Sequence, residues 1–163
     1  MEKAYVVGVD IGGQTTKIGI VDRRGTIVTQ TVIGSKYKAG EAGIFIQAVC
    51  DTIRELAKEV GFDQIQGIGI GAPNGNYYKG TIEDAANLEW AKGIVVELAK
   101  EVSLALDNLP VTVTNDANAA AVGEMTYGAA RGMKNFIMIT LGTGVGSGII
   151  INGELVYGHD GFA

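Results

Sequence analysis

The sequence holds a single cysteine, Cys50, a single histidine, His159, and two prolines. One thiol excludes an internal disulfide and any thiolate cluster around a metal, so Cys50 reads as a small core residue on a helix. His159 stands in Tyr157-Gly-His-Asp160, a loop pattern in which a lone histidine is an ordinary surface residue, and it receives no role. Basic residues are scarce too: 13 Lys and Arg face 18 Asp and Glu, the net charge is −5, and no basic block interrupts the chain. Nucleic acid is therefore not expected as a partner. The longest apolar runs, 136–141 and 148–151, are far below the ~20 residues that span a bilayer, and Met1-Glu2-Lys3 has no signal-peptide character. No membrane association is expected, and the expected compartment is the cytoplasm.

What the chain has in excess is glycine, 25 of 163 residues, roughly twice the ~7% of average usage. Many backbone positions must need tight turns or close approach. Hydrophobic residues make up 47%, enough to build a real core.

Periodicity gives the coarse architecture. Tyr5 to Asp10 is a short apolar run ending in a glycine pair, and Lys17 to Asp22 resumes as a strand, which predicts a hairpin. Asp22-Arg-Arg-Gly25 is a second turn, and the β-branched stretch from Thr26 to Ile33 a third strand. Ile46, Val49, Ile53, Leu56 and Val60 recur at helical spacing until Gly61. Ile65 to Ile70 reads as a buried strand leading into Gly71-Ala-Pro-Asn-Gly75, Ile94 to Leu106 as a helix, Val111 to Thr114 as a strand and Asp116 to Tyr127 as an alanine-rich helix. The order predicts an α/β fold, a mixed sheet with helices on its faces.

The pattern then restarts. Phe136 to Leu141, a glycine loop, Gly148 to Ile151, the Asn152-Gly153 turn and Leu155-Val156 repeat the opening strands, with Gly13 falling on Gly144 at an offset of 131. Any two hairpins with glycine turns resemble each other, but both loops carry threonine as well as glycine, more than a plain hairpin needs. Residues 1–115 are expected to form a first lobe, and 116–163 a linking helix and the opening of a second. That second copy reaches Ala163 without a helix of its own, so the chain is expected to be the front portion of a longer protein. Its last strands should leave an apolar face and an open edge, so self-association, as a dimer, is expected.

Three constellations carry chemistry. A phosphate chain needs donors that approach closely, and backbone N–H groups supply them where side chains are absent. Gly12 and Gly13 meet that need, Thr15 and Thr16 add hydroxyls, and Asp10, at the end of the first strand, can hold the water shell of a magnesium ion or simply form the turn. The second loop, Gly142-Thr-Gly-Val-Gly-Ser-Gly148, is either its partner across a cleft or only a tight hairpin. Neither loop matches the Walker pattern or precedes a helix as a dinucleotide fingerprint must. In Asn115-Asp116-Ala-Asn118, where strand meets helix, Asp116 can orient an attacking hydroxyl and Asn115 can bind neighbouring ones; both are equally good helix caps.

Taken together, Asp10-Ile-Gly-Gly13, Lys17 to Asp22, Gly71-Ala-Pro73, Ala86-Asn-Leu-Glu-Trp90, Asn115 to Glu124 and Leu141 to Gly148 resemble the ROK family of repressors and kinases, and within it bacterial glucokinases. The resemblance runs through essentially the whole chain. It implies the actin-like, ribonuclease-H-like fold of hexokinases, with ATP and Mg²⁺ on the glycine loops and a hexose between two lobes. It implies that Asp116 is the catalytic base and that Asp10, Gly12, Gly13, Gln14, Thr15, Thr16, Lys17, Gly142, Thr143, Gly144 and Gly146 border the nucleotide. Gly75, Asn76, Asn87 and Asn115, with Asp116, would border the sugar. A structural zinc site of clustered cysteines is implied only beyond residue 163. Relatives usually place Thr, often followed by Lys, after the first glycine pair. Gln14 and Thr15 stand there instead, which removes a charge that would attract phosphate. The family also contains sugar-responsive repressors with a DNA-binding segment ahead of this region, for which a first strand near Tyr5 leaves no room, and a non-catalytic sugar-binding module is the third possibility.

Overall fold

The computed structural model describes residues 4–142 and 144–162. Strands β1 (Tyr5–Ile11), β2 (Thr15–Asp22) and β3 (Ile27–Gly34) form an antiparallel meander. The β2–β3 turn is held by Asp22, whose Oδ1 accepts the N–H groups of Arg24 and Thr26 at 2.8 and 2.9 Å. Gly25 takes φ +83°, the left-handed conformation that side chains resist. Helix α1 (Ala42–Ala57) then crosses over, and β4 (Ile65–Ala72) returns parallel to β1.

From the 71–75 loop grows a small antiparallel sheet of β5 (Gly75–Asn76), β6 (Thr81–Glu83) and β7 (Val95–Val96). Helix α2 (Leu98–Ala105) leads to β8 (Val111–Asn115), which completes the first sheet in the order β3-β2-β1-β4-β8. Helix α3 (Asp116–Tyr127) connects to a second sheet, β11-β10-β9, of β9 (Phe136–Leu141), β10 (Val145–Ile151) and β11 (Glu154–Leu155). Among the described residues no helix is long and apolar enough to cross a membrane.

The apolar runs read from the sequence alternate between faces once folded. Val7, Val9 and Ile11 of β1 and Ile18 and Ile20 of β2 point to one face, and α1 covers it with Phe45, Ile46, Val49, Cys50 and Ile53. Each such side chain contributes roughly 1.5–3 kcal/mol on leaving water. Trp90 closes the layer, its ring stacked 4.3 Å from that of Phe45. The helix ends at Ala57, and Gly61, at φ +87°, returns its N–H to the Ala57 carbonyl at 2.8 Å.

The opposite face of the first sheet is bare of side chains at Gly8, Gly19, Gly69 and Gly71, and this is where glycine is needed. A Cβ on Gly71 would sit 3.1 Å from the Ala119 methyl of α3. On the other side of the same helix, a Cβ on Gly148 would lie 2.5 Å from the Ala121 methyl, and one on Gly146 would lie 3.0 Å from that of Ala117. Helix α3 is thus seated between the two sheets by glycine–alanine contacts, which is why its sequence is alanine-rich and shows no single apolar stripe.

Two expectations are corrected. The helix expected over 94–106 is shorter, because the β-branched pair Val95–Val96 extends to pair with Ile82 and Glu83 before the chain turns helical at Leu98. The repeat is real as a hairpin but not at one offset. Ile11 faces Thr16 at the end of the first hairpin and Leu141 faces Val145 at the end of the second, so the second loop is one residue shorter.

Candidate functional site

A cleft of about 380 Å³ opens between the two glycine loops. Its walls are Gly12 and Gly13 from the β1–β2 loop, Pro73 and Asn74 from the loop after β4, Asn87 from the segment between β6 and β7, Asn115 and Asp116 at the β8–α3 junction, and Thr140, Leu141, Gly142, Gly144, Val145 and Gly146 from the second hairpin; the expected ligand Thr143 lies outside the described residues. Each wall has a local cause. Gly12 donates its N–H to the Thr15 carbonyl at 3.0 Å, which curls the first loop, and a Cβ on Gly13 would press to 3.0 Å from the Asn87 carbonyl oxygen. Asn74 adopts φ +53°, and its Nδ2 donates to the carbonyls of Glu83 and Asp84 at 2.9 and 3.0 Å, fixing the loop after β4.

Asn115 caps α3. Its Oδ1 accepts the Ala117 N–H at 2.9 Å, and Oδ1 of Asp116 accepts the same N–H at 2.9 Å. The cap uses one atom of each side chain. Nδ2 of Asn115 and Oδ2 of Asp116 have no partner among the described residues, and both belong to side chains in the cleft wall. The second carboxylate oxygen of Asp116 therefore stands at the N-terminus of α3 beside the cleft, open to a ligand.

A second groove, about 640 Å³, adjoins the cleft along the bare face of the first sheet, and Asp116 lines both. Asp10 lies there with Lys17, its cross-strand neighbour, Oδ2 to Nζ 3.9 Å, both exposed. Among the described residues no cluster of three or more metal-binding side chains occurs. Asp10 fits a magnesium ion held chiefly by phosphate oxygens and water, a role that needs one carboxylate rather than a protein cage.

The structure therefore brings Gly12, Gly13, Asn87, Asn115, Asp116, Gly142, Gly144 and Gly146 into one cleft wall, with Asp10 in the adjoining groove. It places other expected ligands elsewhere. Thr16 is fully buried, its hydroxyl 2.7 Å from that of Ser35, because strand parity turns it inward. Lys17 points into the groove, and Gln14 and Thr15 are exposed at the loop tip without lining the cleft. Gly75 is buried against β8, where a Cβ would be 2.4 Å from the Thr114 carbonyl oxygen. The amide of Asn76 is also spent. Its Oδ1 accepts the N–H groups of Tyr78 and Lys79, and its Nδ2 donates to the Asp160 carbonyl at 2.9 Å. Pro73, Asn74 and Thr140 line the cleft as well, although the sequence assigns none of them to a ligand; an Asn-Gly pair after a strand and a threonine one residue before a glycine loop's strand end are the signals that mark the last two.

Comparison with known proteins places this geometry. The family model described as ROK family matches residues 6–163. A glucokinase of Halalkalibacterium halodurans is 37% identical over 166 aligned residues, covering 100% of this chain and 49% of that protein. A xylose repressor of Caldicellulosiruptor bescii is 32% identical over 97% of this chain and 39% of its own length. The crystal structure of a ROK family glucokinase from Streptomyces griseus, in complex with glucose and AMPPNP, superposes with a TM-score of 0.83 at 35% identity, over 98% of this chain and 48% of that one. The chain spans about half the length of the glucokinases it matches.

Proposed function

The chain belongs to the ROK family, and from that premise we propose that the protein transfers the γ-phosphoryl group of ATP to a hexose, in the first place to the 6-hydroxyl of glucose. The observation that carries this reading is the position of Asp116: an uncommitted carboxylate oxygen at the start of α3, in the same cleft wall as both glycine loops. In the proposed reaction Asp116 accepts the proton of the sugar hydroxyl as that oxygen bonds to the γ-phosphorus. The bond from phosphorus to the β–γ bridging oxygen breaks, and ADP leaves. Asn115 Nδ2 and Asn87 donate hydrogen bonds to neighbouring hydroxyls and fix the sugar's orientation. With the Gly12 and Gly142 N–H groups closing their own loops on the Thr15 and Gly144 carbonyls, the remaining backbone N–H groups of the two loops, that of Gly13 among them, hold the phosphates. Asp10 would hold Mg²⁺ through water, and the ion would supply charge neutralisation of the phosphate oxygens.

In this reading residues 1–115 form the first lobe, and α3 with 128–163 opens the second. Glucokinase relatives support glucose, and the AMPPNP complex of the Streptomyces griseus enzyme supports ATP as donor. In a protein of the relatives' full length, Asp116→Asn should lower turnover by several orders of magnitude while leaving thermal unfolding and glucose binding intact; near-normal turnover overturns the assignment. The 163-residue chain by itself is expected to give no hexose-dependent ADP release above a blank without enzyme. A panel of hexoses presented to the longer protein identifies the preferred acceptor.

A further inference from the structure

Behind the contact between Gly13 and Asn87 lies another hollow of about 380 Å³. Gly13, Asn87 and Glu89 wall one side of it, and the segment from Ser35 to Lys38 walls the other. Gly13 and Asn87 also line the cleft, so the two spaces share a wall. The segment between β3 and α1 alternates. Ser35 is buried on Thr16 and Tyr37 packs edge-on to Phe45 with centroids 5.5 Å apart, whereas Lys36 and Lys38 are exposed. Neither ammonium has an ion pair or hydrogen bond among the described residues. The backbone of this segment is nevertheless pinned, with Ser35 N–H on the Gln14 carbonyl at 3.1 Å and Lys38 N–H on Glu41 Oε2 at 2.7 Å.

In a chain of net charge −5, two unpaired lysines line the hollow with one carboxylate, Glu89, while Glu41 sits outside the lining on the Lys38 N–H, and all stand on a fixed backbone directly beside the first glycine loop. Two cations so placed, side by side at the rim of one recess, concentrate phosphate-class anions.

We propose that this hollow is a phosphate subsite continuous with the cleft, in which Lys36 and Lys38 hold a phosphoryl group beyond those taken by the glycine loops. The proposal rests on the reading that the cleft handles phosphorylated ligands. The phosphoryl group comes either from the far part of a condensed-phosphate donor or from a phosphate ester on a hexose, and both present the same tetrahedral oxyanion.

The test is a titration of the isotopically labelled chain with inorganic tripolyphosphate and, separately, glucose 6-phosphate, following the backbone amide resonances of Gly13, Tyr37 and Asn87. At least one probe should shift all three saturably and more weakly as salt rises. Lys36→Met with Lys38→Met should weaken that probe at least about tenfold. Lys36→Arg with Lys38→Arg should retain it, and Glu89→Gln should tighten it. Response to tripolyphosphate assigns the donor side, and response to glucose 6-phosphate assigns the acceptor side. The proposal is overturned if neither probe shifts these amides, or if the double methionine variant binds as the parent does. All three positions are exposed, so the variants should fold. Loss of turnover in Asp116→Asn leaves these shifts untouched, so the subsite and the kinase reading fail separately.

Discussion

Thr16 Oγ1 and Ser35 Oγ share a hydrogen bond of 2.7 Å, with Thr16 0% and Ser35 2% exposed. The pair joins the strand that leaves the first glycine loop to the end of β3, and the Ser35 N–H on the Gln14 carbonyl ties the loop tip to the same point. Thr16→Val keeps the side chain's shape and leaves a buried hydroxyl on Ser35 without a partner, a loss of about 1–3 kcal/mol. Ser35→Ala should cost a similar amount. The double variant should be less destabilised than the sum of the two, because no orphaned hydroxyl remains. Denaturant unfolding of the three variants measures the coupling, and strict additivity would remove Thr16 from this role.

The seating of α3 is equally testable. A methyl group on Gly148 would meet the Ala121 methyl at 2.5 Å and the Ala117 carbonyl oxygen at 2.8 Å, with backbone on both sides and no flexible side chain to yield. Gly148→Ala should destabilise the chain by about 1–3 kcal/mol. Gly43→Ala, at a helical position where a Cβ meets nothing, should be neutral or stabilising. Thermal unfolding of the two variants side by side gives the comparison; equal effects would refute the close-packing account.

The second sheet leaves one face uncovered: Ile139 is 62%, Leu141 82% and Val145 78% exposed. Contiguous apolar surface of this kind favours association. Light scattering of the 163-residue chain should show mass rising with concentration, and Ile139→Lys should shift it towards monomer. A parent chain that stays monomeric at high concentration contradicts this.

Cys50 supplies a pH-dependent signal. Burial among the α1 core residues, with Asp51 next to it, pushes the thiol up from its ordinary value near 9.0 to about 11. A group whose folded value is raised contributes stability that is complete below pH 9.0 and is lost as pH climbs towards 11. Urea midpoints should therefore fall over that interval, and less so in Cys50→Ala. At neutral pH the native thiol should resist alkylation by iodoacetamide until urea unfolds the chain.

How much of this was legible in the sequence divides along physical lines. Short apolar runs broken by a glycine pair, such as 5–10 and 17–22, and helix 116–127 with its Asn-Asp entry, declare themselves because local pattern and tertiary burial agree. The stretch 94–106 does not, since pairing of Val95–Val96 with β6 is a long-range event that no local window contains. Site residues split in the same way. Gly13, Asn87, Asn115 and Asp116 meet in one wall, and their motifs could be picked out singly, but their adjacency comes from the sheet order. Thr16 carries the chemistry of a phosphate ligand but sits on the inward parity of β2, and the hydroxyl of Ser35, 19 residues on, claims it. Asn76 likewise has the right amide and the wrong neighbours, since the Tyr78 and Lys79 N–H groups and the Asp160 carbonyl, 84 residues on, consume it.

The glycine–alanine seating of α3 has a bearing on how this site tolerates sequence change. On both sides the helix rests on backbone and methyl groups: Gly71 against Ala119, and Gly146 and Gly148 against Ala117 and Ala121. The depth of Asp116 in the cleft is therefore set by main-chain thickness, not by the shapes of the large side chains in the main core. Substitutions among Phe45, Ile53 or Trp90 can repack the far layer without displacing the Asp116 carboxylate. Drift in the core and fidelity at the site are thereby separated, with a few residues of the smallest size as the boundary between them.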